Sequence, residues 1–302
     1  MKAFNVDVPA DVPPSAADEY VRNYRAITRD TGKLVLFSVD QKIEHLNDYF
    51  FGESISPEDN NPEHLFTIAH AGFVGAMATH LGLIARYANQ YKKCNYIAKL
   101  NSKTHLVPTA QKDPESVQLY SVADVLKFKT NAGVPIRGIA FTLYPGSESE
   151  SHMLAQAAHA VLQAHEHGLI AILFIYPRGK AVKNEHEGNL IAGAAGLGVS
   201  LGADFVKINP PTDSAGKSSL EWLTIATQAA GNTKVVCAGG QPTDPQTFLT
   251  VLHDQMSKSG TAGCATGRNI HQKSLHDAIN FTKALNALVY ENKPLDQVLK
   301  MI

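Results

Sequence analysis

Eight short segments rich in β-branched and aromatic residues recur along this chain, and they constrain its fold more than any other feature. Each follows a glycine or a turn and precedes a polar stretch that suits a helix, which is the pattern of strand–helix units joined in parallel. Eight such units close into a (β/α)8 TIM barrel of the α/β class, with an open doubly wound sheet as the structural alternative. The predicted strands are 34–40, 73–78, 96–101, 136–144, 169–176, 204–209, 234–238 and 262–266.

The chain length of 302 residues suits one such barrel, so we predict a single domain over 1–302. Ahead of the first strand, Ser15 and Asp18 form a capping-box pattern for the start of a helix. The pattern predicts a helical extension over about 15–31 that Gly32 terminates.

Two loop insertions are expected, at about 47–61 and 103–121. Both follow the C-terminal ends of strands, which is where barrels carry their functional loops. The tail, 294–302, is apolar enough to pack against the barrel or against a neighbouring subunit.

The overall charge excludes several classes of protein. The chain has 27 basic and 28 acidic residues and a net charge of −1, so it offers no broad field for nucleic acid or an anionic membrane. No apolar run reaches about 18 residues and the start carries no secretory pattern, so we expect a cytoplasmic protein.

The cysteines form no CxxC pair and are expected to be reduced packing residues: Cys94, Cys237 and Cys264.

Lys207 lies inside the apolar sixth segment. Burial favours the neutral amine and lowers its pKa toward the range in which it can attack a carbonyl, as Schiff-base catalysis requires. From position alone, the alternative is a lysine whose stem is buried while its ammonium reaches solvent or a carboxylate.

Polar residues also end neighbouring segments. Strand alternation places Phe174, Tyr176 and Arg178 on one face, so Tyr176 is expected beside Lys207 as a proton shuttle, or else as an ordinary core aromatic. Asp40 ends the first segment and is expected to orient substrate hydroxyls or assist proton transfer, unless it only caps a helix.

Glycines end the seventh and eighth segments, at Gly239 and Gly240 and at Gly267, which Arg268 follows. Barrels commonly bind phosphate at these two turns, so we predict a phosphate site there, although glycines also serve simply to permit tight turns.

Two further patterns are set aside. The run Gly216-Lys217-Ser218 has Pro211 where a P-loop needs its first glycine, which argues against nucleotide hydrolysis. His165 and His167 lie in a helical stretch where such neighbours point apart, so a surface role is favoured over metal binding.

The combination of these motifs resembles the archaeal-type, or DhnA-type, class I fructose-bisphosphate aldolases over roughly 34–285. The resemblance rests on Asp40, on the Tyr-Pro-Arg-Gly of 176–179, on 201–207, on 238–240 and on 267–269. The family usually has Asp-His-Gly where this chain has Asp40-Gln41-Lys42, and often tryptophan where Phe174 stands.

The resemblance implies that Lys207 forms the Schiff base, that Tyr176 is the acid and base, and that Asp40 assists. It implies phosphate binding at Gly239, Gly240, Gly267 and Arg268, no metal or other cofactor, and a homo-oligomer. We add Arg178 and the cation Lys42 as expected substrate contacts.

The implied reaction is reversible cleavage of fructose 1,6-bisphosphate to dihydroxyacetone phosphate and glyceraldehyde 3-phosphate. Two alternatives stay open: a transaldolase-like 2-amino-3,7-dideoxy-D-threo-hept-6-ulosonate synthase or another phosphosugar aldolase, and a non-catalytic phosphosugar-binding barrel.

Overall fold

The computed structural model describes residues 4–44, 49–106 and 113–302. Eight strands pair in parallel, each with its neighbours in sequence, and the eighth pairs with the first to close the barrel. The closed (β/α)8 barrel predicted from the spacing is therefore confirmed, and the open sheet is excluded. The strands are β1 Leu34–Ser38, β2 Ala76–His80, β3 Tyr96–Lys99, β4 Ile136–Leu143, β5 Ile170–Ile175, β6 Phe205–Ile208, β7 Lys234–Ala238 and β8 Gly263–Thr266.

Most helices follow the strands and cover the outside of the barrel, whereas the first helix precedes the first strand. They are α1 Ala17–Thr28, α2 Gln41–Glu44, α3 Pro62–His70, α4 Leu81–Tyr87, α5 Val122–Ala132, α6 Glu150–Glu166, α7 Gly188–Ser200, α8 Leu220–Ala229, α9 Pro245–Ser259, α10 Arg268–His271, α11 Leu275–Val289 and α12 Leu295–Val298. Short 3-10 turns lie at Pro57–Asn60 and Leu299–Met301. None of the helices in the described ranges is long and apolar enough to span a membrane.

Side chains alternate between two cores along every strand, as the period of two requires. In β6, Val206 and Ile208 face the helices, whereas Phe205 belongs to the core inside the barrel. Lys207 lies between the two outward-facing residues and therefore points inward, so the alternation of apolar residues fixes the direction of this lysine.

The N-terminal end of the barrel is closed by α1, whose Tyr20, Tyr24 and Ile27 join the inner core. The ring of Tyr24 stacks on that of Phe205 with centroids 5.6 Å apart. Aromatic side chains therefore fill the centre of the barrel at this end, whereas the residues at the C-terminal ends of the strands line a cavity.

The predicted start of α1 is wrong in detail. Its N-cap is Ala16, which forms no side-chain cap, because 13–16 is a turn in which the Ala16 N–H donates to the Pro13 carbonyl at 2.8 Å. Ser15 therefore lies one residue too early to form the capping box. The helix also ends before Gly32, at Arg29, which adopts a left-handed conformation with φ 52°.

The predicted second strand begins three residues too early and ends two too early. The guanidinium of Arg29 binds the carbonyls of Gly72 and Val74, so these residues form a bend and not a ladder. The other seven strands are displaced by two residues or fewer at each end.

Both predicted insertions lie partly outside the described residues. Of 47–61, residues from Tyr49 onward are described and include a 3-10 turn. Of 103–121, the described part includes one strand of a small antiparallel ribbon that pairs Asn101–Ser102 with Val117–Gln118.

In the tail, Val298 is buried in the outer core and Ile302 is exposed, so packing against the barrel is confirmed and contact with another subunit stays a prediction. The cysteines are free and buried, as expected.

The predicted surface role of the two histidines is wrong for His165, which is 0% exposed, while His167 is exposed. The His165 ring donates to Asp11 at 2.9 Å and to Asp204 at 3.1 Å, and it lies edge-on to the Tyr20 ring. Burial alone lowers the pKa of His165, but hydrogen bonds and charge from the two carboxylates outweigh it and raise the pKa to about 9. The imidazolium thus ties the N-terminal segment to β6.

We expect the contribution of His165 to stability to disappear at high pH. Its folded pKa of about 9 lies above the ordinary histidine pKa of 6.5, so the stabilisation is fully present below pH 6.5 and is lost as pH rises through 9. One pKa unit corresponds to about 1.4 kcal/mol, so the contribution is on the order of 3 kcal/mol. Urea unfolding of the wild type and His165→Gln should differ most at pH 6 and least at pH 10; a constant difference would contradict the charged imidazole.

Candidate active site

Lys207 lies at the C-terminal end of the barrel with 5% of its surface exposed. Its ammonium nitrogen donates to the Ser38 hydroxyl of β1 at 3.1 Å and lies 4.4 Å from the centre of the Phe174 ring. Burial lowers the pKa of Lys207, and the positive charge of Arg268 lowers it further, against the opposing charges of Asp40 and Glu44. The neutral amine needed for attack on a carbonyl is therefore favoured in this location.

The next strand, β5, places Tyr176 beside Lys207, as the alternation predicts. Phe174 pairs in register with Lys207, and the Lys207 nitrogen lies 5.9 Å from the Tyr176 ring centre. The Arg178 guanidinium lies 5.3 Å from the same ring and forms an ion pair with Glu185. Burial, followed by the charge of Asp40, raises the pKa of Tyr176 well above its ordinary value, so the phenol holds its proton at neutral pH.

Two carboxylates and a second lysine adjoin this pair. Lys99, at the end of β3, is 0% exposed and lies 3.8 Å from an Asp40 oxygen and 3.5 Å from a Glu44 oxygen. Lys99 also donates to the Asn101 carbonyl at 2.7 Å, and the Ser102 hydroxyl donates to Glu44 at 3.3 Å. Burial raises the pKa of Glu44, with Lys99 opposing and Asp40 adding to the rise. Lys99, Asp40 and Glu44 therefore form one buried cluster of charges next to Lys207.

Eight of the nine predicted site residues line one cavity of about 130 Å³ at this end of the barrel. They share the ends of β1, β5, β6, β7 and β8, which parallel pairing brings to the same edge. They are Asp40, Tyr176, Arg178, Lys207, Gly239, Gly240, Gly267 and Arg268.

Glycine is required at the positions in the last two turns for different physical reasons. A Cβ at Gly239 would lie 2.0 Å from the Thr266 hydroxyl, and one at Gly267 would lie 2.2 Å from the Ser38 carbonyl, so packing of adjacent turns requires both. Gly240 has φ 66° and open space where its Cβ would be. Gly240 is therefore the glycine whose bare backbone faces room for a ligand.

Arg268 is held over these turns. It donates to the Gly240 carbonyl at 2.7 Å and to the Gln241 amide oxygen at 2.6 Å, and its guanidinium lies 4.2 Å from the Tyr49 ring centre. The Asn269 amide donates to the Gly239 carbonyl at 2.9 Å. Side chains of the eighth turn thus fix the seventh, and a cation borders the open face of Gly240.

Lys42, the ninth predicted residue, is not brought to the cavity. Its ammonium donates to the Asn60 carbonyl at 3.1 Å and lies 4.1 Å from the Phe50 ring centre. Gln41 lines the cavity instead, and its amide oxygen lies 3.4 Å from His271. The first loop therefore contributes an amide to the site where a cation was expected.

Sequence reasoning missed Lys99, Glu44 and Ser38. Lys99 has the signal that identified Lys207, a lysine in the inward phase of an apolar strand, and Ser38 shares the phase of Leu34 and Leu36. Glu44 had no such signal, because only the path of α2 directs it toward Lys99. Across residues 4–44, 49–106 and 113–302, no three His, Cys, Asp or Glu side chains group as a metal ion would require.

The sequence of this chain is similar to those of known aldolases, which is consistent with the lysine, tyrosine and carboxylates found in the cavity. The model of the DeoC/LacD family of aldolases matches residues 34–273. The fructose-bisphosphate aldolase/6-deoxy-5-ketofructose 1-phosphate synthase of Methanocaldococcus jannaschii is 51% identical over all of this chain and 96% of its own length.

Solved structures agree. A fructose-bisphosphate aldolase from Slackia heliotrinireducens superposes with a TM-score of 0.96 at 51% identity, covering 100% of this chain and 95% of its own. An archaeal fructose-1,6-bisphosphate aldolase, with its catalytic lysine bound to the carbinolamine intermediate, superposes with a TM-score of 0.75 at 27% identity. The superposition covers 90% of this chain and 99% of the archaeal one. The resemblance drawn from the motifs is thereby confirmed, and this chain belongs to the DeoC/LacD family of aldolases.

Proposed function

We propose that this protein is a class I aldolase that reversibly cleaves fructose 1,6-bisphosphate to dihydroxyacetone phosphate and glyceraldehyde 3-phosphate. One observation carries the proposal: the inward-facing Lys207 amine, buried and with a lowered pKa, opens on a cavity that also holds Tyr176, Asp40 and the two glycine turns. A relative 51% identical over the whole chain bears the same activity in its name.

The first half of the reaction forms the Schiff base. The Lys207 nitrogen attacks the C2 ketone to give a carbinolamine, which loses its hydroxyl as water to form an iminium. Tyr176 keeps its proton at neutral pH and lies beside the lysine, so it supplies the proton that the departing hydroxyl needs.

The second half breaks the carbon–carbon bond. The Tyr176 oxygen, which gave up its proton in the first half, takes the proton of the C4 hydroxyl that Asp40 positions. The aldehyde leaves, and the electrons of the C3–C4 bond move into the iminium to form an enamine. Tyr176 then returns the proton to C3 and restores the iminium. Water adds to the iminium, its proton reprotonates Tyr176, and dihydroxyacetone phosphate and the free Lys207 are released.

Borohydride trapping tests the reaction class directly. Treatment with fructose 1,6-bisphosphate and borohydride should add one reduced ketose or triose phosphate to Lys207, located by peptide mass spectrometry. Inactivation by EDTA would instead indicate metal-dependent chemistry and would contradict the proposal.

Tyr176→Phe should lower kcat by about 10²- to 10⁴-fold, since a positioned general acid or base contributes this much. KM should change little, because the ring still packs against Lys207 and Arg178. Steady-state kinetics and the mass of the covalent adduct measure the two effects. A kcat within threefold of wild type would exclude the phenol as the proton carrier.

A second candidate reaction is supported by the name of the M. jannaschii relative, which includes 6-deoxy-5-ketofructose 1-phosphate synthase. The same Schiff base would serve, with a different aldehyde partner. Turnover with a panel of ketose phosphates and aldehydes distinguishes the two reactions.

We further propose a cytoplasmic homo-oligomer that acts in glycolysis or gluconeogenesis on a phosphorylated sugar and does not bind nucleic acid. The net charge of −1 supports the absence of nucleic-acid binding. The exposed apolar side chains of Met301 and Ile302 support a contact with another subunit. The molar mass from light scattering tests the oligomer, and a monomer at micromolar concentration would contradict it.

A further inference from the structure

Gln41 reaches the catalytic cavity from the first loop of the barrel. It begins α2, directly after Asp40, and its side chain lines the cavity together with the two glycine turns. A Cβ at Gly267 would lie 2.3 Å from the Gln41 amide oxygen, so this amide lies against the backbone of the turn that follows β8. The Gln41 side chain is therefore next to the glycine turns, where we expect phosphate.

A buried pair of side chains holds this amide. The Nε2 of His271, at the end of α10, lies 3.4 Å from the Gln41 oxygen, and its Nδ1 lies 2.6 Å from a carboxyl oxygen of Asp59. His271 and Asp59 are both 0% exposed. The imidazole also stacks on the Phe50 ring, with ring centres 4.7 Å apart and planes 6° from parallel. Asp59, His271 and Gln41 thus form one chain of contacts that runs from the first loop to the cavity.

The positions of the protons follow from these contacts. An amide oxygen only accepts, so the Nε2 of His271 carries the proton that it donates to Gln41. The contact between Nδ1 and Asp59 holds one further proton, which makes the pair neutral in total. Burial lowers the pKa of His271 against the opposing effect of Asp59, and burial likewise disfavours a net charge on the pair. A neutral pair therefore fixes the amide oxygen on the side of His271.

The other end of the amide is available to a ligand. Within 4–44, 49–106 and 113–302, the NH2 group of Gln41 donates to no acceptor. Because Gln41 lines the cavity, its two N–H donors can meet the oxygens of a bound phosphate or of a neighbouring hydroxyl.

We propose that Gln41 binds the phosphate-bearing three-carbon half of the ketose, which stays on Lys207 after cleavage, and that His271 and Asp59 position its amide. The inference rests on the proposed aldolase function and adds a binding residue with its support to it. A flexible glutamine loses less conformational freedom on binding when its amide is already held, so the buried pair lowers the cost of binding this half.

The condensation reaction tests the assignment because it supplies the two halves of the ketose separately. Gln41→Ala should raise the KM for dihydroxyacetone phosphate about 10-fold, as expected for the loss of one hydrogen bond. The KM for glyceraldehyde 3-phosphate and kcat should stay within about twofold of wild type. His271→Asn removes the contact with Gln41 and keeps an amide near Asp59, so it should give the same pattern.

His64→Gln is the matched control. His64 is a second buried histidine beside α10, and its Nε2 lies 2.9 Å from the backbone carbonyl of His271, so it does not belong to the chain that holds Gln41. All three kinetic constants should stay near wild type in this variant.

A double-mutant cycle separates positioning from a general disturbance of the site. If His271 acts only through Gln41, adding His271→Asn to Gln41→Ala should change the KM for dihydroxyacetone phosphate by less than about twofold. Effects that multiply to about 100-fold overturn the positioning role, as does an unchanged KM in His271→Asn alone. Thermal unfolding verifies that the variants are folded, and Asp59→Asn takes the place of His271→Asn in the cycle if the latter does not fold.

The outcomes separate this inference from the proposed function. An unchanged KM for dihydroxyacetone phosphate in Gln41→Ala, or an equal rise in both KM values, overturns the role of Gln41 and leaves the aldolase assignment intact. A wild-type protein that neither cleaves nor forms fructose 1,6-bisphosphate, and that gives no borohydride adduct, overturns the proposed function itself.

Discussion

Replacing Lys207 with methionine should abolish turnover of fructose 1,6-bisphosphate, with kcat reduced by roughly 10⁴-fold or more, as is seen when a covalent nucleophile is removed. No borohydride adduct should form, because Lys207 is the only lysine among the described residues that lines the catalytic cavity. Methionine keeps the length and apolar stem that pack on Phe174, so the fold should be retained. Intact-protein mass spectrometry after reduction gives the answer.

Lys234→Met is the control for this experiment. Lys234 begins the neighbouring strand β7 and pairs with Phe205, at the end of the barrel that α1 closes. Its removal tests the general effect of losing a lysine from an adjacent strand, and activity should stay near wild type. An adduct that persists in Lys207→Met, or moves to another lysine, would refute the assignment of the nucleophile.

Lys99→Met should be the most destabilising of the substitutions considered. It removes a fully buried cation and leaves the Asp40 and Glu44 carboxyls close together without it. Breaking a buried ion pair in this way costs about 3–5 kcal/mol of unfolding free energy. Because the carboxyls then favour protonation, the loss should shrink as pH falls from 8 to 5, and urea unfolding at both values measures this.

Two companions make the Lys99 experiment specific. Adding Glu44→Gln to Lys99→Met should restore part of the lost stability, since one of the two buried charges is then absent. Lys180→Met removes an exposed lysine that also has two carboxylate partners, and it should leave the free energy of unfolding almost unchanged because water screens exposed ion pairs. Equal costs for the buried and exposed lysines would show that the carboxylates at the barrel end do not depend on Lys99.

The position of Lys207 illustrates how much of the site was readable in advance. The alternation of side chains along an apolar strand determines which of them face the inside of the barrel. The regular spacing of eight strand–helix units predicts a barrel in which the C-terminal ends of all eight strands lie at the same end. Lys207, Tyr176 and Asp40 could therefore be placed at one end of one barrel. The same alternation directs Lys99 of β3 to the inside of the barrel, next to Asp40.

Other features had no local signal. Ser15 matches a capping pattern, but the preceding proline turn shifts the start of the helix away from it. His165 lies in an ordinary polar stretch of helix, yet it is buried and forms hydrogen bonds with carboxylates 154 and 39 residues away. Lys42 has the charge to bind phosphate, yet a carbonyl and an aromatic ring of the following loop hold it away from the cavity. Each depends on partners distant in sequence, and no periodicity specifies these.

The sequence by itself determined the barrel, the direction of its strands and the identity of the residues at their C-terminal ends, because these follow from short-range alternation and from regular spacing. Only the tertiary structure decided which charges are paired: Lys99 with two carboxylates and His165 with two more. Ion pairing depends on the paths of the loops that bring distant residues together. It also depends on burial, because the Coulomb energy between two charges is larger where water is excluded. The inward direction of Lys207 was therefore foreseeable, whereas the buried ion pairs of Lys99 and His165 were not.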